Sequence, residues 1–136
     1  MVSRIMIVED QLLLSKSLED ALTSLGHDVV GVAASYAEAE SVKVPVDIAL
    51  VDVNLLDGAT GPEIGRLLAS RGCSVLFLTA NPEMVADGVE GTLGVLSKPI
   101  QGDALAGAIE FAVSRIKGIS DVAPASLRLF QPASVQ

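Results

Sequence analysis

Polar side chains that could bind a metal or take part in a reaction follow four short apolar runs of this sequence. Glu9 and Asp10 come directly after the first run, and Asp52 comes directly after another. Thr79 and Lys98 end two further runs with an alcohol and an amine. Carboxylates that converge repel one another unless a cation lies among them, and their hard oxygens suit a hydrated Mg²⁺. The pattern therefore predicts a divalent metal site with a hydroxyl donor and a fixed amine beside it.

The apolar runs have the length of β-strands and are separated by segments with helical periodicity. Strands are predicted at 4–8, 28–33, 47–51, 74–78 and 92–96, and helices around 13–25, 36–43, 62–70 and 103–117. A helix between the fourth and fifth strands must be short and frayed, because Gly88 and Gly91 are poor helix residues. Continuous apolar strands are typical of a parallel sheet covered on both faces.

The order of these elements predicts an α/β fold, a doubly wound five-stranded parallel sheet of flavodoxin-like type, (βα)5. In such a sheet the first and third strands are neighbours, and ligands bind at the carboxyl ends of the strands. The acids after the first strand should therefore meet Asp52, with Thr79 and Lys98 close by. This convergence is the central structural expectation.

Composition restricts the class of protein. Nine Lys and Arg against 17 Asp and Glu give a net charge of -8, which argues against direct binding of nucleic acid. No apolar run approaches the roughly 20 residues that span a bilayer, and no leader sequence is evident, so a soluble cytoplasmic protein is expected. Cys73 is interpreted as a buried structural thiol and His27 as a turn residue rather than a metal ligand.

The length of 136 residues predicts one folded domain, at residues 1–118, followed by a C-terminal tail at 119–136. Because the tail contains two prolines and lacks a long periodic face, it is expected to be flexible, with at most one turn of helix around 126–130. The alternative is a docking segment, with Leu127, Leu129 and Phe130 as apolar anchors.

Over residues 4–117 the sequence resembles the response-regulator receiver family. The resemblance is carried by four short stretches: Ile-Val-Glu-Asp at 7–10, Leu-Val-Asp-Val-Asn-Leu-Leu-Asp-Gly at 50–58, Leu-Thr-Ala at 78–80 and Ser-Lys-Pro at 97–99. It implies a single-domain response regulator of a two-component system or phosphorelay, with residues 1–118 as the receiver domain.

The resemblance also implies a role for each site residue. Asp52 resembles the phosphoacceptor, and Thr79 and Lys98 resemble the groups that contact the phosphoryl oxygens. Mg²⁺ would be bound by Asp52, by Asp10 directly, by Glu9 through water and by the backbone carbonyl of Asn54. The implied donor is a phosphohistidine of a histidine kinase or a phosphotransfer protein, and the partner downstream is unknown. Such a domain is not an ordinary enzyme, although it catalyses its own phosphorylation and dephosphorylation. A homodimer is left open.

Some features depart from the family or favour other readings. The family usually has an aromatic residue three positions before the lysine, where this chain has Val95. The main alternative is therefore a receiver-shaped interaction module that is not phosphorylated. A flavin carrier is disfavoured because Glu9 and Asp10 would repel a phosphate, and an aspartyl phosphohydrolase because its two acids are spaced differently. Asn54 and Asn81 flank the expected path of water, but neither amide is a strong base.

Overall fold

The computed structural model of the chain describes residues 2–119 and 121–130. These residues form strands β1 (Arg4–Val8), β2 (Asp28–Ala33), β3 (Ile48–Asp52), β4 (Ser74–Thr79), β5 (Gly94–Ser97) and β6 (Leu127–Leu129). They also form helices α1 (Leu12–Ser24), α2 (Tyr36–Ser41), α3 (Gly61–Ser70) and α4 (Gly102–Ile116), and a 3₁₀ turn at Pro82–Val85.

All six strands belong to one sheet, in the order β2-β1-β3-β4-β5-β6. The first five strands run parallel, and β1 pairs with β3 as expected for a doubly wound sheet. The predicted α/β class and its five strands are therefore confirmed. The sheet is nevertheless mixed rather than wholly parallel, because β6 adds to β5 in the antiparallel direction.

Strand side chains alternate between two apolar layers, which explains why the strand sequences are continuously apolar. Met6 and Val8 of β1 point into the layer that contains α2 and α3, whereas Ile5 and Ile7 point into the layer that contains α1 and α4. Cys73 is buried and free in the first of these layers, in agreement with the structural role expected for it.

The segment between β4 and β5 contains a single 3₁₀ turn and no α-helix. Gly88 and Gly91 both adopt φ of +82°, a backbone conformation that residues other than glycine rarely adopt. The expectation of a short fourth helix is thus confirmed, and the helix is reduced to one 3₁₀ turn of four residues. As a result, no α-helix from the segment between β4 and β5 covers the sheet.

At most one turn of helix was expected around residues 126–130, but Leu127–Leu129 instead form the strand β6. Leu127 is buried in the layer of α1 and α4, while Phe130 packs against the opposite layer, with its ring centroid 6.2 Å from that of Phe77. The domain boundary at residue 118 stays a prediction, and residues 131–136 of the expected tail lie outside the described residues.

Ion pairing fixes the amino ends of two central strands. The Arg4 guanidinium donates to both carboxylate oxygens of Asp47, at 3.1 and 3.2 Å, and the Arg4 backbone N–H donates to the same carboxylate at 2.8 Å. These bonds lower the pKa of Asp47.

Among the helices of residues 2–119 and 121–130, none has the length and apolar character needed to cross a bilayer.

Candidate functional site

Five of the residues predicted to act together lie at one edge of the sheet. Asp52 is the last residue of β3 and Thr79 the last residue of β4, while Glu9 and Lys98 directly follow β1 and β5. Asp10 comes after Glu9. Because all four strands are parallel, their carboxyl ends meet, and the predicted convergence is present in the structure.

Lys98 connects the two deepest carboxylates of the site. Its Nζ atom lies 2.8 Å from Asp52 Oδ2 and 3.1 Å from Glu9 Oε1. Burial alone would lower the pKa of Lys98, but hydrogen bonds to Asp52 and Glu9 and the charges of both carboxylates outweigh it and raise the pKa. Lys98 is therefore a fixed cation beside the proposed acceptor. The peptide bond that follows it, to Pro99, is cis.

Glu9 is the most deeply buried acid of the site, with 2% of its surface exposed. Burial raises the pKa of Glu9 to about 7. The backbone N–H of Gln11, which donates to Glu9 Oε2 at 3.1 Å, and the Lys98 ammonium act in the opposite direction. Near neutral pH Glu9 is therefore partly protonated even with Lys98 beside it, and additional positive charge would favour its charged form.

The acids are arranged in a way that suits a divalent cation. Glu9, Asp10 and Asp52 each offer a carboxylate oxygen, and these oxygens lie within 4.8 Å of one another. Asp10 and Asp52 also line an open pocket of about 350 Å³, which leaves room for water. Carboxylates from several sides with space for water are typical of Mg²⁺ sites, so the residues fit the ion that the sequence predicts.

The loop after β3 holds the Asp52 carboxylate in place. The backbone N–H of Asn54 donates to Asp52 Oδ1 at 3.2 Å, so the two Asp52 oxygens have different partners. Asn54 lines the same pocket as Asp10 and Asp52. The use of its backbone carbonyl as a ligand stays a prediction.

Thr79 is buried, and its hydroxyl is engaged with its own chain. The Thr79 Oγ1 atom accepts a hydrogen bond from the backbone N–H of Asn81 at 3.0 Å. Asn81 directly precedes the 3₁₀ turn. A movement of Thr79 Oγ1 away from this amide would therefore release the residue that precedes the turn.

Two contacts of the acceptor loop were not anticipated from the sequence. The Asn54 side-chain amide donates to the sulfur of Met84 at 3.6 Å, which connects the acceptor loop to the 3₁₀ turn. Asp57 accepts hydrogen bonds from the Thr60 hydroxyl and from the backbone N–H of Tyr36 at the start of α2, and these bonds lower its pKa. The contacts of Asn54 with Met84 and of Asp57 with Tyr36 have no signal in the sequence, because each joins segments that follow different strands.

Val95 occupies the position where the receiver family usually has an aromatic residue. It is buried in β5, opposite Phe77 of β4 and Arg128 of β6. The aromatic rings in the same layer include Phe77 of β4 and Phe130, beyond β6.

Comparisons with known proteins agree with this arrangement. The sequence model of the response regulator receiver domain family matches residues 5–110. The phyllosphere-induced regulator PhyR of Methylorubrum extorquens is 35% identical over 108 residues, which cover 74% of this chain and 40% of that protein. The chain thus spans well under half of this curated relative.

Solved structures show the same likeness. The response regulator PhyR from Brucella abortus superposes with a TM-score of 0.75 at 30% identity, covering 87% of this chain and 50% of that one. The receiver domain of PhyR from Erythrobacter litoralis superposes with a TM-score of 0.71 at 27% identity, covering 91% of this chain and 96% of that one. The similarity to the isolated domain therefore extends over nearly all of both chains.

Proposed function

Because the chain belongs to the response regulator receiver domain family, we propose that Asp52 accepts a phosphoryl group from a phosphohistidine of a kinase or phosphotransfer protein. The observation that supports this most strongly is the position of the Lys98 ammonium, 2.8 Å from the Asp52 carboxylate and also bonded to Glu9. A lysine held between two buried acids is placed to meet the charge of an arriving phosphoryl group.

The proposed reaction is a displacement at phosphorus. A carboxylate oxygen of Asp52 forms the new bond to phosphorus, the bond from phosphorus to the imidazole nitrogen breaks, and the imidazole leaves with the electron pair. The hydrogen bond from the Asn54 backbone orients the Asp52 carboxylate, because it engages only one of the two oxygens. Lys98 exchanges part of its contact with Asp52 for the phosphoryl oxygens.

Glu9, Asp10, Asp52 and the Asn54 carbonyl are the groups that would hold Mg²⁺. The chemistry that the ion supplies when it is bound is neutralisation of the charge on the phosphoryl oxygens. Without a second cation, Lys98 alone faces the Glu9 and Asp52 carboxylates. The raised pKa of Glu9 supports the need for additional positive charge at this site.

Thr79 is proposed to transmit the change. If Thr79 Oγ1 moves away from the Asn81 N–H to reach a phosphoryl oxygen, that N–H loses its acceptor, and the residue directly before the 3₁₀ turn at Pro82–Val85 is released. The output is then a change of protein contacts, made by another protein whose identity is open. Loss of the phosphoryl group by attack of water would return the domain to its starting state.

Exposed apolar side chains beside the pocket support docking of a helical donor. Leu12 and Leu13 begin α1 and are 81% and 87% exposed, and Leu56 in the acceptor loop is also exposed. A kinase or phosphotransfer helix that presents its phosphohistidine to Asp52 would cover these side chains. The substitution Leu13→Asp should slow transfer from a protein donor at least tenfold and leave phosphorylation by acetyl phosphate unchanged.

The direct test uses intact mass spectrometry of the chain after incubation with acetyl phosphate. Addition of one phosphoryl group in the presence of Mg²⁺, absent with EDTA and mapped to Asp52, is the expected result. An unchanged mass under both conditions would favour the receiver-shaped interaction module that is not phosphorylated. A phosphoryl group on another side chain would equally contradict the proposal.

A further inference from the structure

The outer edge of β5 is shaped to receive another strand at close range. Gly94 of β5 pairs with Leu129, and a Cβ atom at position 94 would lie 2.5 Å from the backbone carbonyl oxygen of Arg128. Gly94 does not have a positive φ, so its own backbone does not require glycine. The absence of a side chain here matters because it lets the β6 backbone approach the β5 edge.

Each face of this edge offers one apolar pocket. Leu127 is buried in the layer of α1 and α4, and Phe130 enters the opposite layer, against Phe77 and beside Gly88. The Phe130 backbone N–H donates to the Leu93 carbonyl at 3.1 Å. An extended segment with an apolar residue and, three positions later, an aromatic residue meets both pockets, because odd spacings along a strand point to opposite faces.

The segment that now occupies this edge is held by few contacts. β6 has three residues and pairs with β5 alone among the described strands. Arg128 is exposed, and Leu129 is 37% exposed. Most residues from 117 to 126 that the structure describes are exposed as well. A short edge strand of this kind opens locally at a much lower free energy than the central strands.

We propose that the β5 edge is a docking groove for an extended segment of an output protein, which the chain's own residues 127–130 occupy until Asp52 is phosphorylated. The partner segment has the pattern apolar-x-x-aromatic and binds by strand addition, in place of β6. This rests on the proposed function, because phosphorylation is the signal that frees the groove. Residues 127–130 are then a competing internal ligand rather than a passive tail.

The structure contains a physical connection between the acceptor pocket and this groove. The 3₁₀ turn directly follows Asn81, whose amide donates to Thr79, and Met84 of the same turn accepts a bond from Asn54. Val85, which ends the turn, lies in the same apolar layer as Phe130. If Thr79 and Asn54 rearrange around a phosphoryl group, Val85 shifts within the layer that holds Phe130. Residues 127–130 are tethered to α4 through residues 117–126, so they fit the shifted groove less well than a free segment does.

Hydrogen exchange of two backbone amides in the full chain tests the release. The Phe130 amide reports the bond to Leu93, and the Leu93 amide, bonded to Val75 at 2.8 Å, reports the attachment of β5 to β4. With Mg²⁺ and beryllofluoride as the phosphoryl mimic, exchange at Phe130 should rise about tenfold while exchange at Leu93 stays unchanged. A rise at both amides, or at neither, would overturn the proposal.

A fluorescein-labelled peptide of residues 121–136, added to the full chain, tests the groove itself. Beryllofluoride should tighten its binding about tenfold, and Phe130→Ala in the chain should do the same without the mimic, because both weaken the internal competitor. Gly94→Ala should also free β6, seen as faster exchange at Phe130, yet abolish peptide binding because the added Cβ fills the groove. Opposite effects of these two variants on peptide binding are the signature of a groove.

Gly102→Ala is the matched control, since a Cβ at position 102 meets no atom within 4 Å, and it should bind the peptide like the unchanged chain. Thermal melting of each variant shows that it is folded. The ¹⁹F signal of bound beryllofluoride separates the two proposals: its absence contradicts phosphorylation at Asp52, while the Phe130→Ala and Gly94→Ala variants still decide on the groove. A loaded site with unaltered peptide binding overturns the coupling.

Discussion

The carboxyl ends of the parallel strands, here called the carboxyl edge, and the outer edge of β5, where β6 pairs, are built in different ways. At the carboxyl edge, each functional residue lies at or directly after a central parallel strand, and ion pairs such as that of Lys98 with Asp52 hold the side chains together. At the outer edge, the three residues of β6 pair with β5 beside Gly94, and the apolar side chains of Leu127 and Phe130 hold the segment in place. The first region is held by fixed side chains and the second by few contacts, which agrees with their proposed roles as acceptor site and releasable groove.

The largest effect should come from removing the acceptor. Asp52→Asn should lower incorporation of phosphate from acetyl phosphate at least about 100-fold, because a neutral amide is a far poorer nucleophile than a carboxylate. Radiolabel counting or intact mass measures the loss. Asp47→Asn, directly before the other end of β3, is the control and should retain incorporation. Equal loss in both variants would show that the substitution acts through folding.

Truncation of one leucine in each region should separate their stabilities. Leu50→Ala, in the fully buried centre of β3, should lower the free energy of unfolding by about 3–4 kcal/mol. Leu127→Ala should cost only about 1–2 kcal/mol, because the chain can instead populate a state in which β6 is detached. Urea denaturation measures both. Equal costs would mean that β6 is as firmly held as the central strands.

Removal of the site cation should destabilise the carboxyl edge in a way that depends on pH. Lys98→Met, measured in EDTA, should lower the free energy of unfolding by about 2 kcal/mol at pH 8, since two buried carboxylates lose their partner. Burial raises the pKa of Glu9 to about 7 in the folded chain, so the folded state retains a proton between the unfolded pKa and that value. Stability should therefore fall as pH rises through 7, and the cost of Lys98→Met should be smaller at pH 5.

The smallest effect concerns the connection between the two regions. Thr79→Ala should slow phosphorylation less than about tenfold, because Lys98 remains, but should remove the response of the Phe130 amide to beryllofluoride. Thr79→Ser retains the hydroxyl and should retain the response. If Thr79→Ala responds like the unchanged chain, the connection does not run through the Asn81 amide.

The carboxyl edge could be predicted from sequence because its information is local. Each site residue follows a continuous apolar run, and parallel topology brings the ends of those runs together, as for Asp52 and Glu9. The reduced helix before β5 was also predictable, from Gly88 and Gly91. In each case a short stretch of sequence decides the local structure.

The outer edge could not be predicted because its information is distributed. β6 has a charged residue at its centre and pairs with β5 where Gly94, more than 30 residues earlier, leaves room for its backbone. No periodicity within 127–129 indicates this pairing. The contact of Asn54 with Met84 was missed for the same reason, since it joins two loops that follow different strands.

The place of β6 in the chain also affects how the protein is made. Residues 127–130 leave the ribosome well after β5, because α4 and the segment after it are synthesised in between. During that interval the β5 edge of a nascent chain is unpaired, and a row of free backbone amides and carbonyls attracts other unpaired strands. A translational pause between residues 97 and 127 should therefore raise the fraction of aggregated product, and chaperones that shield strand edges should reduce it.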